Sequence, residues 1–148
     1  MPTTGLSQVT ESDRPDHELE VLTEDQCIDM LATRKLGRIA FSVADRIEIF
    51  PVNYATDRAI VVFRIAPGTK LETVTTSRVA FEVDDWDEDQ RTGWSVVLKG
   101  VAQEVTAGTD PFAATLRTRN VWPLAPGERD HWIAIYPSEI SGRRFRRG

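Results

Sequence analysis

The spacing of apolar residues along the chain changes twice within the first forty positions. Residues 1–20 carry few large apolar side chains and are interrupted by Pro2 and Pro15, the pattern of a flexible arm. From Leu22 the period becomes helical. Thr23 stands as N-cap with Gln26 three residues on, a capping box, and Leu22 and Cys27 occupy the positions of a hydrophobic staple. Cys27, Ile28, Met30 and Leu31 form the apolar stripe, so Cys27 reads as a small core residue rather than a nucleophile. Arg34 and Lys35 fall at the negative end of this helix, and Gly37 suits a left-handed turn that ends it.

After Gly37 the period shortens to that of strands. Residues 38–43 and 46–54 flank the turn Ala44-Asp45 and predict a hairpin, and Thr56-Asp57-Arg58 turns the chain into a third strand over 59–65. Further strands are expected over 79–83, 94–105 and 131–136, the last stopping before Pro137. Six strands with short turns predict a mainly β chain folded as a closed or nearly closed antiparallel barrel, since an open sheet of this size exposes its edges. Two more short helices interrupt the strands. Thr69-Lys70-Leu71-Glu72 is a second capping box, opening a helix through about Thr76, and Asp110-Pro111 opens another through about Arg119. Three short helices and six strands form one domain over 21–148.

The 148 residues agree with one domain, on the usual prior of roughly 100–200 residues each. A content of 41% hydrophobic and 28% charged residues excludes a disordered chain. No apolar run approaches the ~20 residues of a membrane-spanning helix, and the first residues lack the pattern of a signal peptide, which together imply a cytoplasmic protein without a membrane partner. A net charge of −5 argues against nucleic acid as a partner. Asp84, Asp85, Asp87, Glu88 and Asp89 read as a solvated acidic loop, and Arg143, Arg144, Arg146 and Arg147 as a basic tail. The single cysteine excludes an internal disulfide, and two histidines without ligand spacing make a zinc site improbable.

Chemistry is best placed at Arg64-Ile65-Ala66-Pro67-Gly68-Thr69-Lys70. A strand ends at a cation, turns through Pro-Gly and enters a helix whose first amides lack partners, so a phosphate suits it. An ordinary strand-to-helix turn with solvated cations fits the same residues. In Phe50-Pro51-Val52-Asn53-Tyr54, Pro51 marks an edge or bulge, and Asn53 brings a donor and an acceptor suited to the rim of a heterocycle. An edge strand with a satisfied Asn is the plain alternative. Trp86, Trp94, Trp122 and Trp132 fit a core or a subunit interface, or else an aromatic wall.

Taken in order, FPVNY, IVVFRIAPGTKL and RVAFEVDDWDEDQRTGWSVVLKGVAQEV resemble the pyridoxamine 5′-phosphate oxidase-like proteins of the FMN-binding split-barrel fold. The small actinobacterial-type members, with an SGRRF-like end, are the most similar. The resemblance spans roughly residues 20 to 146. It implies a homodimer with two flavin sites at the subunit interface and a small-molecule substrate. Pro51, Val52 and Asn53 would contact the flavin ring, Arg64, Thr69 and Lys70 the phosphate, and Gly68 would permit close approach. Trp94, Ser95 and Trp132 would close the pocket, the GWS segment and the late strand coming from the second subunit. The full substrate set of a vitamin B6 oxidase is missing. The expected activity is therefore an FMN-dependent oxidoreductase on an unidentified small organic substrate. The alternatives are a deazaflavin-dependent reductase, with Arg38 or Arg78 in a longer basic groove, and a flavin or haem carrier or sensor without turnover. A small barrel that binds a partner protein or nucleic acid is a further alternative from another class.

Overall fold

In the computed structural model, residues 17–65, 77–105 and 131–147 are described. They form β1 (His17–Val21), α1 (Glu24–Leu31), β2 (Leu36–Val43), β3 (Arg46–Asp57), β4 (Ile60–Ile65), β5 (Arg78–Asp87), β6 (Thr92–Glu104) and β7 (His131–Arg147). The helices expected over 69–76 and 110–119 lie outside the described residues. No helix among the described residues is long and apolar enough to cross a membrane.

The strands are antiparallel in the order β1-β7-β4-β3-β2-β5-β6, and β6 pairs back onto β7. Six strands thus close into a barrel, with β1 added outside the ring along β7. Turn chemistry sets much of this order. Ala44 and Asp45 both adopt positive φ, 50° and 62°, which matches the tight hairpin between β2 and β3. Arg58, at φ 55°, turns β3 into β4, and Arg91, at φ 53°, turns β5 into β6.

Alternation along the strands fills the barrel. Ile39, Phe41, Val52, Tyr54, Phe63, Phe81, Val83, Val96, Leu98 and Ile135 belong to one buried cluster. The helix caps it: the Thr23–Gln26 capping box is formed in both directions, and Leu22, Cys27 and Leu31 join the same cluster. Tyr54 seals that end by donating its hydroxyl to the Leu31 carbonyl at 2.5 Å while its ring meets Phe81 edge-on. On the other side of β4 and β7, a second buried cluster gathers Val62, Val105 and Ala134, with Trp132 and Tyr136 packed against it.

Several expectations are corrected. Gly37 does not end the helix; Ala32 is the C-cap, and no basic residue lies in the last helical turn. Gly37 sits inside β2 opposite Val52, where a Cβ would lie 2.3 Å from the Phe81 ring, so its role is close approach. Residues 17–20, assigned to the arm, pair with Arg144–Arg147 as part of β1. The last strand does not stop at Tyr136. Ser138 is the extra residue of a β-bulge opposite Lys99 and Gly100, which tolerates Pro137, and β7 runs on to Arg147. The basic residues therefore lie on a strand rather than a loose tail. Likewise Asp84, Asp85 and Asp87 belong to β5, not a loop.

Replacing Gly37 by Ala should lower stability by about 1–3 kcal/mol, the cost of overpacking against Phe81. The loss should shrink in a Phe81→Leu background, where the ring that meets the new methyl is gone. Urea unfolding of the four proteins in the cycle measures both effects.

Candidate functional site

The described pairing of β3 with β4 is short. Residues 46–53 of β3 pair with β2, whereas the described pairing with β4 covers only Tyr54–Asp57. Pro51 lies on β3 opposite Arg38 of β2. Tyr54 and Phe63, the last β3–β4 pair, are buried in the core. The next residue on each strand, Asn53 and Arg64, therefore turns to the outer face. Arg64 is half-buried, with its guanidinium 5.3 Å from the Trp132 ring centre, and Trp132 is its cross-strand partner on β7. A guanidinium at that distance from an indole ring makes a cation–π contact that holds it in place. Pro51, Asn53, Arg64 and Trp132 thus occupy outward-facing positions on β3, β4 and β7. Gly68, Thr69 and Lys70 lie outside the described residues, in the segment that begins directly after β4.

The other expected contacts are elsewhere. Val52 points into the core at 5% exposure, so only its backbone remains for a ligand on the outer face. Trp94 and Ser95 are consecutive on β6 and face opposite ways. Trp94 packs against the core cluster, with the Arg34 guanidinium 5.7 Å from its ring centre. Ser95 faces outward opposite Arg143 and Asp84. Two strands, β2 and β5, intervene between Asn53 and Ser95, a separation of roughly 14 Å at about 4.8 Å per strand. One chain does not bring all the expected residues into one pocket.

The larger described cavities line this second region. One of about 470 Å³ is walled by Asp85, Thr92, Trp94, Arg144 and Phe145. Another of about 350 Å³ is walled by Leu19, Trp86, Ser95, Arg143 and Phe145, and a third of about 400 Å³ by Val21, Ser95, Val97, Ser141 and Arg143. Their walls mix aromatic rings with tethered charges. Trp86 and Phe145 meet at 5.9 Å. Arg144 grips Glu20 through Nε and Nη2 at 3.1 and 3.2 Å. That paired hydrogen bond holds the Glu20 carboxyl below the usual range. Arg34 does the same for Asp85 by hydrogen bonding to it. Sequence reading missed these tethers because they join residues 51 and 124 positions apart.

Nucleophilic and metal chemistry have little footing here. Cys27 is fully buried, and burial, with Glu24 nearby, raises its thiol pKa. No group of three or more potential metal-ligating side chains occurs among the described residues.

Comparison with known proteins shows the family. The family model for pyridoxamine 5′-phosphate oxidase matches residues 23–144. The chain belongs to that family. It is 33% identical over 134 residues to an uncharacterised protein of Mycobacterium tuberculosis, covering 86% of each chain. A solved structure described as the FAD binding protein from Mycobacterium smegmatis superposes with a TM-score of 0.73 at 37% identity, covering 85% of this chain and 97% of that one. A Corynebacterium diphtheriae protein of unknown function gives 0.71 at 32% identity, covering 86% and 98%. The family model takes in β3, β4, the segment after β4 and most of β7.

Since Cys27 is sealed between α1 and β7, with Gly142 against its sulfur, a thiol reagent should leave it unmodified in the native protein. Complete reaction should appear only in denaturant. A colorimetric thiol titration with and without urea makes the comparison.

Proposed function

We propose that this protein is a flavin-dependent oxidoreductase, working as a homodimer on a small organic substrate. The observation that supports the reading is the outward-facing placement of Asn53 on β3 and of Arg64 on β4 beside Trp132, with Gly68, Thr69 and Lys70 following Arg64 closely in sequence. The donor set suits a flavin mononucleotide. Arg64, beside Trp132, supplies fixed charge for a phosphate, and Thr69 and Lys70 add a hydroxyl and an ammonium. Asn53 offers both a donor and an acceptor to the polar rim of the ring, while Pro51 presents a flat apolar surface to its face. A bound flavin supplies hydride acceptance and electron transfer. The protein's own work is to hold the anion, orient the ring and leave one face accessible.

The homodimer follows from the split location of the residues. Asn53 and Arg64 lie at one side of the barrel, Ser95 and the cavities beside Trp94 at another. Two copies related by a two-fold axis would set the first group of each chain against the second group of its partner, giving two equivalent sites. FMN is the cofactor that the phosphate residues suit. The FAD named for the Mycobacterium smegmatis relative favours a second reading in which the dinucleotide occupies the same place. A deazaflavin is less well served, because Arg38, a cation it would recruit, is already held by Glu82 and Asp84.

Heating the purified protein and weighing the released small molecule by mass spectrometry tests the cofactor. The expected product is FMN, with FAD supporting the second reading and a deazaflavin or haem contradicting both. Bleaching of the bound flavin by a nicotinamide nucleotide, followed by recolouring with an acceptor, distinguishes turnover from a carrier role. Arg64→Ala should weaken FMN binding by about 1.5–3 kcal/mol, the range for hydrogen bonds to charged groups. Unchanged affinity in a fluorescence titration would remove Arg64 from the site.

A further inference from the structure

At one end of the sheet, β1, β7, β6 and β5 lie side by side, and their outward residues fall into two neighbouring rows. Leu19, Phe145, Gly93 and Trp86 are cross-strand partners in the first row. Val21, Arg143, Ser95 and Asp84 are partners in the second. The rows are two residues apart on every strand, so they share one face. Gly93 makes room for the Trp86 indole, since a Cβ there would come within 2.6 Å of that ring. The indole reaches over the glycine to Phe145, with ring centres 5.9 Å apart and planes inclined by 48°. It is nonetheless 56% exposed. A cavity of about 350 Å³ joins Trp86 and Phe145 to Leu19, Asp84, Ser95 and Arg143.

The charges around this cavity are unevenly partnered. Asp84 Oδ1 is 3.6 Å from Arg38 Nη1, which also donates to Glu82 Oε1 at 3.1 Å. Arg144 and Arg146 lie near Glu20, away from this row. Arg143 is exposed and has no ion-pair partner among the described residues. Its guanidinium is therefore available, beside an aromatic pair and the Ser95 hydroxyl. A carboxylate accepts two parallel hydrogen bonds from such a fork, and an indole offers its face to a second ring. Arg38, Arg143, Glu82 and Asp84 sum to zero when all are ionised, so any negative charge on a ligand is surplus here. A carboxylate adds one such charge. A phosphate ester adds about 1.5 to 2, and sets the excess against Asp84.

We propose that this cavity takes a planar aromatic carboxylate, with its ring on Trp86 and Phe145 and its carboxylate on Arg143 and Ser95, and that such acids are the substrate class of this protein. The proposal deepens the oxidoreductase reading and rests on it for turnover, whereas binding of the acid rests on the cavity alone. Ser95 links the two, because the same reading gives it to the flavin site completed by the partner, which would set the bound acid beside the redox centre. Apolar walls with a few fixed polar groups are the usual make-up of a small-molecule site, and the volume accommodates one or two fused rings. Trp86 and Arg143 are thus specificity residues, selecting a ring and a single negative charge. Phosphorylated ligands are disfavoured.

Calorimetric titration of the protein as purified with 2-naphthoate, 2-naphthamide and 2-naphthyl phosphate at neutral pH tests the site. The carboxylate should bind at least about tenfold more tightly than either the amide or the phosphate, the discrimination expected of one charge-assisted pair. Arg143→Gln should weaken the carboxylate by about tenfold and bring it level with the amide. Trp86→Leu should weaken carboxylate and amide alike, by about fivefold. Both side chains are exposed, so these changes leave the core intact. Equal affinity for carboxylate and amide overturns the role of Arg143, and tighter binding of the phosphate overturns the ligand class. Unaltered binding in Trp86→Leu overturns the choice of cavity. A flavin-loaded protein that binds no naphthoate overturns the proposal while leaving the oxidoreductase reading standing. Naphthoate binding with these preferences to a protein that takes up no flavin supports the site and overturns that reading instead.

Discussion

Closure of the barrel by β6 on β7 is the constraint on which the remaining geometry depends. The two strands pair from Gly93 opposite Phe145 to Glu104 opposite Ile133, broken only by the bulge at Ser138. Because side chains alternate strictly along a strand, that register decides which residues enter the core and which line the outside. It sends Trp94, Val96 and Leu98 inward and Ser95 and Val97 outward. The bulge lets one long β7 serve β4 at its start, β6 along its length and β1 at its end. A slip of one residue would turn Ser95 into the core and Val96 to the exterior. Hydrophobic filling of the barrel and placement of the outer-face residues are therefore one problem with one solution.

Much of this was legible in the residues themselves. The Thr23–Gln26 capping box, the Ala44-Asp45 turn and the positions of the six barrel strands are local signals with local causes. The ends of elements were harder. Gly37 looked like a helix stop because glycine serves both left-handed turns and close approaches, and only the Phe81 ring, far along the chain, decides between them. Pro137 looked like a strand stop because a bulge that absorbs it depends on the pairing partner. β1 was invisible for the same reason. Its five residues acquire strand character only by lying against the end of β7, where Glu20 meets Arg144.

The candidate site followed a similar division. Family resemblance assigned Asn53 and Arg64 to one ligand, and strand alternation turns both to the outer face. It did not disclose that Val52 is a core residue or that Trp94 and Ser95 look in opposite directions, since both facts come from alternation around a closed ring. Nor could the sequence reveal the clusters that join distant strands, Arg38 with Glu82 and Asp84, or Arg34 with Asp85 and Trp94. Such groups form only when the barrel closes. They account for charges that looked merely solvated when read along the chain.

The proposed function requires a ligand site completed by two chains, each lending a different side of its barrel. Subunit mixing tests that claim most directly. Arg64→Ala would disable one contribution and Ser95→Tyr would obstruct the other, so neither variant alone should bind flavin tightly. Unfolding and refolding the two together in equal amounts should restore tight binding at about one site in four, because random pairing of a two-fold dimer yields one intact site per mixed pair. A mixture that binds no better than its components would contradict the shared site.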